Sequence, residues 1–157
     1  MSTVEFCALV DSDAGQVWSI LRQFGRIQAW HPGIVESHIE QQQADSLPGV
    51  VRQLRLRDGG VVRERLLALD DRQLCLTYRF EEAPLPLQDY VASVRVLGLS
   101  GQARAVVHWQ ASFTAPTLAS AADYQALISD LIVAGHDGLA LYLKAGDLPD
   151  QGGFLIE

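Results

Sequence analysis

Glu64 is the residue whose surroundings most constrain its chemistry. It lies in Val61–Leu69, where Val62 and Leu66 alternate with Arg63 and Arg65. Alternation at period two sends successive side chains to opposite faces of a strand. Glu64 therefore shares the apolar face with Val62 and Leu66. The preceding stretch, Val50–Arg57, alternates Leu54 and Leu56 with Gln53, Arg55 and Arg57. A three-residue turn at Asp58-Gly59-Gly60 puts the two leucines on the face of Val62 and Leu66, and Arg52 joins them, diagonally across from Glu64. A carboxylate on such a face must be paired, hydrogen-bonded or protonated. It is either half of an internal salt bridge with Arg52, a polar anchor for a ligand, or a general acid or base. Tyr78 and Tyr90 bring hydroxyls to the same side from neighbouring strands. Phe80 and Trp109 add flat apolar walls suited to an aromatic ligand. His31, held extended before Pro32, is the remaining candidate, a loop residue at the mouth of any cavity these faces enclose.

Other chemistries lack their signatures. There is no GxSxG, no HExxH, no paired CxxC and no glycine-rich phosphate loop. The histidines at 31, 38, 108 and 136 have no metal-site spacing, so neither a metal nor a cofactor is expected. His38 and His108 are expected to face solvent, and His136, beside Asp137, to lie on the surface. Cys7 and Cys75 read as reduced, buried small hydrophobes. A formal charge of −7 argues against nucleic acid or an anionic membrane as partner. The arginines at 52, 55, 57, 63, 65 and 72 interleave with apolar residues, as on the wet face of a hairpin. No apolar run approaches the roughly 18 residues that cross a bilayer, and the N-terminus carries no basic leader. The expectation is a single cytoplasmic domain spanning all 157 residues, monomeric or a homodimer, without stable membrane insertion.

The elements that must position these residues follow from pattern. Thr3–Val10 reads as a strand, and Asp11 or Ser12 as the cap of a helix running to Phe24. Arg26–Trp30 forms a short helical turn, and Ile34–Glu40 an edge strand. Strands follow at Val50–Arg57, Val62–Leu69, Gln73–Glu81, Tyr90–Leu97 and Ala103–Phe113. The closing stretch, Ala119–Lys144, is a long helix with Tyr124, Leu127, Ile128, Leu131, Leu139 and Tyr142 on one face. Ser120 with Asp123 resembles a capping box, and Gly146 with Pro149 a stop. Gly135 and Gly138 fall on the apolar face, where a glycine costs roughly 1 kcal/mol against alanine. Either a strand approaches closely there, or the missing side chains leave room for a ligand. Strands in short hairpins with segregated helices make an α+β fold, its antiparallel sheet curled round the last helix.

The segments VWSILRQFGRIQAWHPGIVESHIE, RERLLALDD, LTYRF and LQDYVASVRV, with the closing helix, resemble the START-like, helix-grip superfamily. This SRPBCC group includes polyketide cyclase/dehydrase-type proteins, the birch-pollen allergens and the abscisic-acid receptors. The resemblance implies a curved sheet of about seven strands around the C-terminal helix, with two short helices after the first strand. It also implies a large cavity between sheet and helix. The abscisic-acid receptors' cavity glutamate is matched by Glu64, and their closing Leu-x-x-Tyr pattern by Leu87 to Tyr90. Their latch and gate are replaced by Leu85-Pro86 and Arg57–Gly60, and their ligand-pairing lysine by His31, so a hormone receptor of that kind is not expected. The wall of the implied cavity is assigned to Leu54, Leu56 and Val62, to Leu87 and Ala92, and to Leu131, Gly135 and Gly138. The function so implied is binding of a small hydrophobic ligand, aromatic, polyketide or lipid-like. The alternatives are a cyclase/aromatase or dehydratase with Glu64 or His31 moving protons, and a partner-binding module with a vestigial cavity.

Overall fold

The computed structural model describes residues 1–147. The chain begins with β1 (Ser2–Val10), α1 (Ala14–Leu21) and a 3-10 stretch (Phe24–Ala29), then β2 (Ile34–Ile39). Next come β3 (Val51–Leu56), β4 (Val61–Asp70), β5 (Cys75–Glu82), β6 (Gln88–Gly98) and β7 (Ala105–Thr114), closed by α2 (Ala121–Asp147). The seven strands form one antiparallel sheet in the order β1-β7-β6-β5-β4-β3-β2. Consecutive strands β2 to β7 are neighbours, and only the link from β1 to β2 crosses the whole sheet. That link is α1 with the 3-10 stretch, which close one end of the concave face.

Alternation positions the core as the patterns require. In β7, Ala105, Val107, Trp109, Ala111 and Phe113 are all buried, and the residues between them are half-buried. The β3–β4 turn has odd length but comprises 57–59, since the Leu56 amide donates to the Gly60 carbonyl at 2.8 Å. Gly59 takes φ +92° there, a left-handed conformation that glycine adopts without penalty. Arg52 consequently sits directly opposite Glu64 rather than diagonally. A bulge between Leu66 and Ala68 flips the parity of β4. Leu67 points out and Leu69 returns inward, which resolves the crowded apolar end of that strand.

The helices depart from expectation in ways that matter below. Asp13, not Asp11 or Ser12, caps α1, its Oδ1 accepting from the Gln16 amide at 2.9 Å, and α1 stops at Leu21. Ser120 exchanges hydrogen bonds with Thr117 rather than forming a box with Asp123. α2 runs through Gly146 to Asp147; Pro149 lies outside the described residues. Its buried stripe is Ile128, Gly135, His136, Leu139 and Leu143, while Leu127, Leu131 and Tyr142 are 37–40 % exposed. By length and composition α2 is apolar enough to cross a membrane, contrary to expectation, yet it packs on β1 and β7. Cys7 is exposed and Cys75 half-buried. The reason is parity: Val4, Phe6, Ala8 and Val10 turn inward, so Cys7 turns out.

His136 is likewise corrected, being buried at 4 % exposure. β1 is an edge strand, and α2 covers that edge with side chains. Gln125 donates to the Thr3 carbonyl at 3.3 Å and His136 Nε2 to the Leu9 carbonyl at 3.2 Å. Two groups that would invite another strand are thereby satisfied. The other ring nitrogen of His136 accepts from Trp109 Nε1 at 3.0 Å, which ties the edge cover to the inner wall.

The two helix glycines are explained by close approach, though of a loop and not a strand. A Cβ on Gly138 would collide with the Trp30 carbonyl oxygen, and one on Gly135 would lie 2.8 Å from His31 Cδ2. The Trp30–Pro32 turn is seated in this notch.

Candidate functional site: an apolar cavity with a buried ion pair

Between the concave sheet face, the 3-10 stretch and the first half of α2 lies a cavity of about 510 Å³. That volume is in the range of small-molecule sites. Leu54, Leu56 and Val62 line it from the β3–β4 hairpin, with Tyr78 and Phe80 from β5, Tyr90 from β6 and Trp109 from β7. His31, Leu131 and Gly135 complete the expected set on the opposite side. Leu87, Ala92 and Gly138 do not border it. Leu87 lines a separate groove with Leu67 and Arg79. Ala92 is buried in a second core cluster with Ala111 and Phe113, and Gly138 is filled by Trp30. Sequence reasoning missed Trp30, Ile27 and Leu21, which reach the cavity from the crossing segment, and Val94 from β6. The apolar character of Trp30 beside His31 was the available signal, but only the seating on α2 turns that loop inward.

Arg52 and Glu64 form the polar patch of this wall, with side chains 5 % and 8 % exposed. Arg52 Nε and Nη2 both reach Glu64 Oε1, at 2.8 and 2.7 Å, and Nη1 donates to the Phe24 carbonyl at 3.0 Å. The guanidinium is also flanked by the rings of Phe24 and Tyr78, 3.9 and 4.7 Å from their centroids. Such contacts favour a desolvated cation. The salt-bridge reading of Glu64 is met by one of its two oxygens. Oε1 holds the ion pair; Oε2 accepts nothing from the described residues. No fully buried side-chain polar atom among them lacks a partner, so Oε2 is reached from the cavity that Glu64 lines.

Burial pushes the Tyr78 phenol up, with Glu64 adding to the effect and Arg52 opposing it. Tyr90 is raised by burial too, then by Tyr78 and Glu64. Both hydroxyls therefore keep their protons and offer O–H donors. Tyr90 stacks on Phe80 with centroids 3.8 Å apart and planes 7° apart, so its ring orientation is held by packing. Trp30 and Trp109, with centroids 6.0 Å apart, form the aromatic end.

His31 has both ring nitrogens engaged. Nδ1 accepts from the Gly33 amide at 3.1 Å, and Nε2 donates to the Leu131 carbonyl at 3.1 Å. It fastens the Trp30–Pro32 turn to α2 and has no lone pair left for proton transfer. Arg57 Nε donates to the Pro32 carbonyl at 2.7 Å, fastening the turn to the β3–β4 loop. Pro84 and Leu85, with Leu127 and Leu131 of α2, also line the cavity. Burial lowers the His31 pKa; the Leu131 carbonyl opposes this and Arg52 adds to it. In the unfolded chain the ring protonates near its ordinary value, about 6.5, while the folded protein resists until lower pH. Stability is therefore present above that value and is lost as pH falls from it towards the folded pKa. The melting temperature of the wild type is expected to fall between neutral pH and about pH 5 by more than that of His31→Gln. Parallel melting profiles would show that His31 does not carry this dependence.

The family model described as polyketide cyclase/dehydrase and lipid transport matches residues 1–143. The chain belongs to this family. No curated protein matches it. Solved structures share the helix-grip fold of the SRPBCC superfamily across this polyketide cyclase/dehydrase chain. The protein XoxI from Bacillus cereus has TM-score 0.82 at 23 % identity, covering 94 % of this chain and all (100 %) of its own. Norcoclaurine synthase from Thalictrum flavum, bound to a transition-state analogue, has TM-score 0.72 at 15 % identity over 93 % of this chain and 96 % of its own. The di-domain aromatase/cyclase BexL of the BE-7585A biosynthetic pathway has TM-score 0.80 at 16 % identity, over 95 % of this chain and 48 % of its own.

Proposed function

We propose that this polyketide cyclase/dehydrase-family protein binds one small, mostly apolar molecule, aromatic or polyketide-like, in the cavity between sheet and helix. The observation that carries the reading is an apolar void of about 510 Å³ holding one unengaged carboxylate oxygen, Glu64 Oε2. Burial of apolar surface supplies the affinity, and Oε2 with the Tyr78 and Tyr90 hydroxyls sets the orientation. The lipid transport and cyclase chemistry named for the family fit the same cavity. The enzyme reading is favoured by the same free oxygen, placed where a proton acceptor could serve an aldol-type closure. His31 is unsuited to that task while both its nitrogens are engaged. The two readings part on turnover, since an enzyme releases a product differing from what entered.

Native mass spectrometry of the purified protein is the direct test, and a mass shift of one small organic molecule is expected. Val94 lines the cavity and is buried, so Val94→Phe projects extra carbons into the void. Affinity for the bound molecule should fall by about tenfold or more, equivalent to at least ~1.4 kcal/mol, with little change in melting temperature. Unchanged affinity would place the ligand elsewhere.

A further inference from the structure

The charges on the cavity wall define which ligands it can accept. Four ionised side chains line it: Arg52 and Glu64 on the inner wall, Arg57 and Asp58 at the rim. Two cations and two anions leave no net charge. The inner cation is already committed, with Nε and Nη2 on Glu64 Oε1, Nη1 on the Phe24 carbonyl, and aromatic rings beside the guanidinium. A carboxylate brought to its remaining N–H groups would have to sit beside Glu64, and two carboxylates sharing one site repel strongly. It would also lose its own hydration in an apolar void. His31 offers no compensating cation, since its nitrogens are both used. At the rim, Arg57 Nε is held by the Pro32 carbonyl.

A neutral hydroxyl meets the opposite situation. Its O–H can donate to Glu64 Oε2, and its oxygen can accept from a tyrosine hydroxyl. Tyr78 lies against the guanidinium that Glu64 holds, Tyr90 stacks on Phe80, which pairs with Glu64 across the sheet, and both tyrosines line the cavity. The walls around this patch are apolar and aromatic. We infer that the cavity selects neutral, hydroxyl-bearing aromatic molecules and rejects the corresponding carboxylates, with Glu64 as the specificity-determining residue. The inference rests on the cavity being a ligand site, as proposed above.

The test uses the full chain at neutral pH with the uncharged dye N-phenyl-naphthylamine, whose fluorescence rises on entering an apolar site. β-Naphthol and β-naphthoate, matched in skeleton, then compete for it. β-Naphthol is expected to displace the dye at a concentration at least about tenfold lower than β-naphthoate. In Glu64→Gln the like-charge repulsion is gone and Arg52 is released, so β-naphthoate should gain affinity, β-naphthol lose it, and the preference narrow or invert. If that variant fails to fold, the wild-type pair still decides. Dye binding with equal competition, or with β-naphthoate the stronger, overturns the selectivity and leaves the ligand cavity standing. A wild type that binds no dye overturns the cavity reading and the selectivity with it. β-Naphthoate that competes well in the wild type and loses its affinity in Arg57→Gln would put the anion at the rim, also against the inference.

Discussion

Gly138→Ala is expected to destabilise the protein by about 3 kcal/mol, roughly 10 °C in melting temperature for a chain of this length. In an ordinary helix the same change is favourable by about 1 kcal/mol, so the sign itself is diagnostic. The added methyl has nowhere to go: the Trp30 carbonyl oxygen occupies its position and Pro32 Cδ lies 2.7 Å away. Backbone cannot rotate aside as a side chain can. Either α2 or the Trp30–Pro32 turn must move, and with the turn go the His31–Leu131 and Arg57–Pro32 hydrogen bonds that hold the rim. Gly146→Ala on the same helix is the control, since nothing among the described residues lies within 4 Å of its would-be Cβ, and it should be neutral or slightly stabilising. Equal responses from the two glycines would show that the turn is not seated in the notch.

Arg52→Met is expected to cost about 3–5 kcal/mol, because it strands the Glu64 carboxylate in an apolar wall. The loss has three sources: the ion pair, the hydrogen bond to the Phe24 carbonyl, and the contacts with the Phe24 and Tyr78 rings. Only the first leaves an uncompensated charge, so removing that charge as well should recover most of the deficit. Arg52→Met/Glu64→Leu is accordingly expected within about 2 kcal/mol of wild type, as when a buried ion pair is exchanged for packed apolar groups. Urea unfolding of the two single variants and the double variant checks this. If Arg52→Met alone unfolds at the wild-type midpoint, the pair is not an internal one.

Much of the sheet was legible in the sequence because a strand's face is decided locally. The period of two in Ala105–Phe113, in Gln73–Glu81 and across Leu54 to Leu66 was enough to turn Trp109, Tyr78 and Glu64 inward. An odd-length turn then brought Arg52 to Glu64, because parity survives an error of one residue in the turn. What parity could not supply was contact between elements far apart in sequence. The side chains of α2 at Leu127 and Leu131 are as apolar as those at Ile128 and Leu139. Which stripe is buried depends on where β1 offers carbonyls to Gln125 and His136. His136 read as a surface residue because its partners, Leu9 and Trp109, are 127 and 27 positions away. The glycines at 135 and 138 announced a close approach, yet its object, the carbonyl of Trp30, lies in a loop with no periodicity to reveal its direction. That Arg52 meets one Glu64 oxygen and not the other is likewise invisible in sequence. It follows from where the guanidinium is seated, 3.9 Å from the Phe24 ring centroid and 4.7 Å from that of Tyr78. The sequence by itself thus determined which residues face inward and that charge is buried among them. Tertiary structure decided which of them border empty space, because a void is defined by atoms from many elements at once.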